Sequence, residues 1–342
     1  MQSNSSTWIL LLSIIFLAYT GITTLFPVIP LYASKLGAST TEVGIITGLF
    51  SYMAAAFLIP FGALSDRTGR DKTMLLGVLL LSAVYFLYTL TDSIMDLIIV
   101  RLMEGIAAAF FLPAATALTI DLSPEAKRGA YMGITTTVMQ LGFVAGPILG
   151  GIVLNRYGFF GVFMTCVALL LVCLTITVLL IFFLFPTANT DNFSNNLKAA
   201  GSDGSMKPLS WKIIAISMMP IIVTFVSGTV VFSIPLFFKM LELGEVEAGI
   251  AISIMYVASA CIRTPAGVLS DVKGRSLMIV VGLVIEGISV MMYSVAKSYL
   301  QMLLVSALIG IGMGISMPAT LALIGDVTPY EKRGLGIGML TY

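Results

Sequence analysis

The chain has no histidine at all. That removes the commonest metal ligand and the side chain that most easily carries a proton near neutral pH. Charge is also scarce. Lys, Arg, Asp and Glu together make up 10% of the 342 residues, against about 25% in a soluble domain. There is too little polar surface here to face water, so the solvent is lipid. The formal net charge of +1 says nothing about nucleic acid, and no basic run suggests such a partner, so none is expected. The three cysteines, Cys166, Cys173 and Cys261, lie in apolar stretches without CxxC spacing. They read as buried thiols, not as metal ligands or a disulfide framework. No Gly-x-x-x-x-Gly-Lys-[Ser/Thr] nucleotide loop is present. No nucleophile–base set appears either, so nothing supports an enzyme.

What fills the chain instead is apolar sequence, 58% hydrophobic with a mean hydropathy of +1.05. A bilayer core needs about 20 apolar residues per helix. Runs of that size sit near 8–32, 42–64, 73–91, 97–120, 130–154, 159–185, 211–236, 247–268, 277–296 and 299–325, with an eleventh beginning near Gly334. The first run lacks a basic n-region and is too long for a signal-peptide core, so it reads as a span. Residues 186–210 are rich in Asn, Ser, Asp, Gly and Lys and read as a polar linker. The expected organisation is a six-helix bundle over 1–185, a cytoplasmic linker over 186–210, and a second bundle over 211–342.

The two bundles are copies. Gly62-Ala-Leu-Ser-Asp-Arg-Thr-Gly-Arg70 returns 205 residues later as Gly267-Val-Leu-Ser-Asp-Val-Lys-Gly-Arg275. Pro30, Glu42, Pro60, Pro113, Asp121, Pro124 and Arg128 return at the same offset as Pro235, Glu247, Pro265, Pro318, Asp326, Pro329 and Arg333. Duplicated hydrophobic units are the usual signature of a membrane transporter with its substrate site between the copies. Placing the N-terminus in the cytoplasm puts twelve Lys and Arg in inner loops against four in outer ones, which satisfies the positive-inside rule. Ser39-Thr-Thr-Glu42 has capping-box spacing before the second span.

The Gly-x-x-x-Asp-Arg-x-Gly-Arg loop between two such halves resembles the major facilitator superfamily. Leu97-x-x-x-Arg101-x-x-Glu104-Gly105 is similar to that family's fourth-helix motif. Gly133, Gly142, Gly146-Pro147 and Gly150-Gly151 match its fifth-helix antiporter motif at every spacing. Gly21 with Pro27-Val28-x-Pro30 matches the first helix of the twelve-helix drug:proton antiporters. The resemblance implies an all-α integral membrane fold in the plasma membrane. It also implies a monomer that exports small amphipathic compounds against protons by alternating access. The proton gradient supplies the energy, so no cofactor is expected. An importer or facilitator of a small polar solute stands as an alternative. So does a non-transporting remnant or sensor, because only nine residues follow Arg333 where the first copy has a further two helices. The reading expects a second half cut short.

Candidate residues follow from these patterns. In the loops, Gly62 and Gly69 allow a tight turn and close helix approach. Asp66 faces a helix start, with Arg67 beside it. Arg70 is expected to pair with Asp121, and Arg275, after Asp271, with Asp326. Such pairs would act as a cytoplasmic gate that breaks when the halves rock. Inside the membrane, ionisable groups are costly and functional by default. Arg101 and Glu104, three residues apart on one face, are candidates for proton coupling or for a permanent structural pair. Glu286 is a third, since its repeat counterpart is Leu81. Arg263 reads as a snorkelling residue or a partner of the Asp271 loop. The resemblance implies a cavity lined by the first, fourth, fifth, seventh, eighth and tenth spans. Its polar, aromatic or sulfur-bearing members are Tyr19, Thr23, Phe26, Phe110, Gln140, Phe225, Phe232, Tyr256, Met313 and Met317. The first span carries no acid, which weighs against cationic substrates.

Overall fold

A computed structural model describes residues 5–123, 128–184, 228, 231, 233–241 and 243–327. The described residues are helical and contain no strand. Eight helical stretches are long and apolar enough to cross a bilayer, with the fifth and sixth spans counted as one. Side chains such as Phe86, Phe182, Val284, Ile288 and Met291 stand exposed on their flanks, as lipid-facing residues do. The linker expected at 186–210 lies outside the described residues.

Local chemistry sets the ends of the spans. The first span is two helices, Ser5–Thr24 and Val28–Lys35, where hydropathy alone suggested one run. Pro27 has no N–H to donate. The chain instead turns through Leu25 and Phe26, whose amides bond to Ile22 and Thr23 at 3.3 and 3.1 Å. The second span runs Thr40–Thr68 and starts at the expected capping box. Ser39 Oγ accepts from the Glu42 amide at 3.3 Å, and Glu42 accepts from the Ser39 amide at 2.7 Å. The third span is Arg70–Tyr88 and the fourth Ile94–Leu122, which has its own box from Ser93 and Asp96. Arg128–Leu184 holds the fifth and sixth spans, separated at Gly158, whose φ of 69° breaks the helix. The seventh span is helical over 233–240. The eighth, ninth and tenth are Glu245–Lys273, Arg275–Tyr293 and Tyr299–Val327.

The duplication is visible as repeated contacts. A single residue, Gly69, joins the second span to the third, and Gly274 joins the eighth to the ninth. Their φ angles of 105° and 96° suit only glycine. Gly105 lies against the Phe50 carbonyl, and Gly310 lies against the Met255 carbonyl. Gly77 meets Phe111 while Gly282 meets Ser316. Each pair recurs at the same offset of 205 residues. Small residues let helix backbones approach closely in lipid, so each half packs in the same way. Each half has its own apolar core. Phe26, Phe143 and Val144 of the first half pack against the core of the second. Two of the three cysteines are buried as expected, but Cys261 is exposed on the eighth span.

Candidate functional site

The halves meet along the fifth and eighth spans. At one end of this seam, a Cβ added to Gly151 would lie 2.5 Å from the Glu245 carbonyl, so the backbones touch. Gly249 meets the Pro147 carbonyl in the same way. Next along, Ser253 Oγ donates to the Val144 carbonyl at 2.7 Å. The Phe143 and Tyr256 rings follow, with centroids 4.8 Å apart. Gln140 and Arg263 come last. The remaining antiporter-motif glycines face the first span of their own half. Gly142 lies against Tyr19 and Thr20, Gly146 against Thr20, Thr23 and Thr24, and Gly150 against Thr24. Gly133 has nothing within 4 Å of an added Cβ. The seam is thus tight at the Gly151 end and loosens toward the end that carries Gly69 and Gly274.

An aromatic patch occupies the middle of the seam. Phe143 stands 5.6 Å from Tyr19 and 6.1 Å from Phe26, and it reaches Tyr256 across the halves. Phe143 is an addition to the expected cavity set, hidden in a variable position of the glycine motif. Met313 of the tenth span is buried in the second-half core beside Tyr256, and Met317 is half-buried. Two expected cavity residues sit elsewhere. Phe110 stacks on Phe61 of the second span, 3.7 Å between centroids. Thr23 is fully buried between the first and fifth spans and donates to the Gly142 carbonyl at 2.9 Å. Its role is to join those two helices. Phe225 and Phe232 lie outside the described residues.

Arg263 does not turn outward to snorkel. It points across the seam to Gln140. Turned so that its amide oxygen faces the guanidinium, Gln140 accepts from both terminal nitrogens, from Nη2 at 2.7 Å. The pairing joins the two halves, and no spacing along the chain could reveal it. Arg263 Nε is buried with no hydrogen-bond partner among the described residues.

Arg101 and Glu104 are buried, with side chains 3% and 1% exposed, and paired at 2.7 Å. Two tyrosines complete the cluster. Tyr88 donates to Glu104 Oε2 at 2.5 Å and Tyr85 to Oε1 at 3.1 Å. Arg101 spends its other nitrogens on the carbonyls of Ile46 and Thr47, at 3.3 and 2.9 Å, and lies over the Phe50 ring. Three donors converge on Glu104, which is how an ionised carboxylate is held. Tyr85 and Tyr88 were legible only as an i, i+3 pair of polar tips in an apolar span. Glu286 is wholly buried and accepts from Ser316 Oγ of the tenth span at 2.9 Å.

The basic loops correct one expectation. Arg70 pairs with Asp121 at 2.5 Å and with Asp66 at 3.3 Å, and it donates to the Ala117 carbonyl. All of these partners belong to the first half, so rocking of the halves does not separate them. The pair fastens the loop to the fourth span and does not itself bridge the halves. A Cβ added to Gly62 would lie 3.8 Å from Pro113 of the fourth span, while Arg67 is exposed. The side chains of Asp271 and Asp326 lie outside the described residues, and Arg275 is half-buried.

The family model for the Major Facilitator Superfamily matches residues 11–244 and 216–341. The chain belongs to this superfamily. Its sequence is 25% identical to an MFS-type transporter of Methanocaldococcus jannaschii, over 95% of this chain and 84% of that protein. It is 26% identical to Multidrug resistance protein 2 of Bacillus subtilis, over 99% of this chain and 85% of that one. A shorter match, 29% identical over 40% of this chain and 35% of the other, is to the quinolone resistance protein NorA of Staphylococcus aureus. Among solved structures, a bacterial homolog of the human lysosomal transporter Spinster superposes with a TM-score of 0.78 at 18% identity. That match covers 99% of this chain and 78% of the other. The fold is therefore that of the superfamily, a multi-pass membrane transporter and not an enzyme.

Proposed function

We propose that this transporter exports small amphipathic compounds in exchange for protons, by rocking its halves about the fifth–eighth seam. It works as a monomer in the plasma membrane with its N-terminus in the cytoplasm. The observation that carries the reading is the buried Glu104 carboxylate, enclosed by Arg101, Tyr85 and Tyr88. A carboxylate out of water is expensive unless it is paired. Any motion that withdraws Arg101 therefore favours taking up a proton. Arg101 also holds the Ile46 and Thr47 carbonyls, so movement of the second span against the fourth loosens the pair. Glu286, buried against Ser316, supplies a second acid of the same kind. The aromatic patch between the halves offers an apolar, polarizable surface for the substrate. Similarity to proteins named for drug resistance supports the outward direction.

The test uses purified protein in vesicles with an imposed pH gradient and a panel of cationic, neutral and anionic fluorescent amphiphiles. Wild-type protein drives uphill movement of at least one probe. Glu104→Gln abolishes that drive while leaving folded protein in the membrane. Gradient-driven flux that persists in this variant removes Glu104 from the mechanism.

A further inference from the structure

We propose that Arg263 and Gln140 form an anion-binding point on the seam, and that the transported compound is an amphipathic organic anion. Its carboxylate docks on Arg263 while its apolar body lies on the aromatic patch. The inference deepens the transport reading above and rests on it for the word "transported", but not for binding.

Three observations converge. First, Arg263 faces only the dipole of a neutral amide across the seam, and among the described residues no carboxylate lies within ion-pair distance. Arg263 is half-buried; withdrawing a guanidinium from water is costly unless an opposite charge offsets it, and its planar fork matches a carboxylate. Its Nε is a buried donor without an acceptor among the described residues. Second, the fold does not require this charge. The repeat counterpart of Arg263 is Leu58, buried at the equivalent position of the first half. Third, the surroundings suit an aromatic anion. Tyr256 lies seven residues before Arg263 on the same helix, two turns or about 10 Å away along one face. Phe143 sits three residues from Gln140 on the opposing helix and packs against Tyr256 with the rings tilted. Beyond Arg263, among the described residues, a Cβ added to Gly133 would meet nothing within 4 Å and Thr137 is exposed, which leaves room beside the pair for a ligand.

The experiment measures equilibrium binding of biphenyl-4-carboxylate and of biphenyl-4-carboxamide, its neutral isostere, to the purified full chain in detergent. Wild-type protein binds the carboxylate about tenfold or more tightly than the carboxamide, since charge-assisted forks far exceed neutral hydrogen bonds. Arg263→Gln erases that ratio without weakening carboxamide binding, and Arg263→Lys keeps part of it. An Arg263 that merely braces the halves would lower both affinities together. A wild-type ratio near one, no detectable carboxylate binding, or a ratio that survives Arg263→Gln overturns the proposal. Should Arg263→Gln not fold, the wild-type ratio decides. Neither readout involves a pH gradient or flux. Arg263-dependent binding without proton-driven exchange would sink the transport reading alone. Exchange of uncharged probes with no carboxylate preference would sink this one alone.

Discussion

Two glycines of one motif are predicted to behave in opposite ways. Gly146→Ala places a methyl group 2.7 Å from the Thr20 carbonyl and 2.8 Å from the Thr24 amide, and onto the Thr23 hydroxyl. Two of those three atoms are backbone and cannot rotate away. Restoring ordinary contact near 3.5–4 Å moves the first and fifth spans apart by about 1 Å. That separation also strains the Thr23 bond to the Gly142 carbonyl, 2.9 Å long. Gly133→Ala meets nothing within 4 Å. Both variants gain the same helix propensity, about 1 kcal/mol, so it cancels in their comparison. The remainder is the overpacking cost at Gly146 alone, about 1–3 kcal/mol. Thermal unfolding of the purified proteins in detergent reads this out. At about 2–4 °C per kcal/mol, Gly146→Ala melts several degrees below Gly133→Ala. Equal melting temperatures, or a lower one for Gly133→Ala, would refute the assignment of Gly146 to a backbone contact.

Three further outcomes follow from the geometry. Gly151→Ala pushes against the Glu245 carbonyl of the other half; it should melt below Gly133→Ala for the same reason as Gly146→Ala and exchange substrate at least tenfold more slowly, because the seam no longer closes, and a normal rate would count against that seam. Tyr88→Phe removes the shorter tyrosine bond to Glu104 and should destabilise by about 1–3 kcal/mol, more than Tyr85→Phe, whose bond is 3.1 Å; the reverse order in thermal melts would contradict the cluster as described. Glu286→Gln keeps an oxygen for Ser316 and should leave helicity intact while lowering the number of protons exchanged per substrate, and an unchanged proton count in vesicle flux would exclude it from coupling.

Much of the frame was legible because it depends on neighbours in sequence. Ser39 and Glu42 cap a helix with atoms three residues apart, and Gly69 and Gly274 turn the chain on their own. Hydropathy could not show the break in the first span. Leu25, Phe26 and Pro27 are as apolar as the helix around them, and only a missing N–H marks the turn. The expected gate pair, Arg70 with Asp121, has both its ends in the first half. Phe143 and the Arg263–Gln140 contact depend on how one bundle lies against the other, over 100 residues apart in the chain. No local period encodes that.

The two copies agree on backbone and differ on charge, and the difference is informative. Glycines that permit close packing recur at the same offset, Gly77 with Gly282 and Gly105 with Gly310, because the bundle cannot form without them. The charges inside the spans do not recur. Arg101 and Glu104 correspond to Ser306 and Ile309, Glu286 to Leu81, and Arg263 to Leu58. Even the tyrosine is retained: Tyr88 serves the Arg101–Glu104 pair, and its counterpart Tyr293 meets the Ser306 hydroxyl instead. A bundle of this design thus packs with or without a charge at each of these positions. Since a charge buried in lipid carries a cost, its presence in only one copy points to work that packing does not require. The acids at Glu104 and Glu286 lie inside the halves, each with partners from its own half, so only a motion within a half changes those partners. Arg263 lies between the halves, against Gln140. The asymmetry of the copies marks these positions as the places to test for proton coupling and substrate binding.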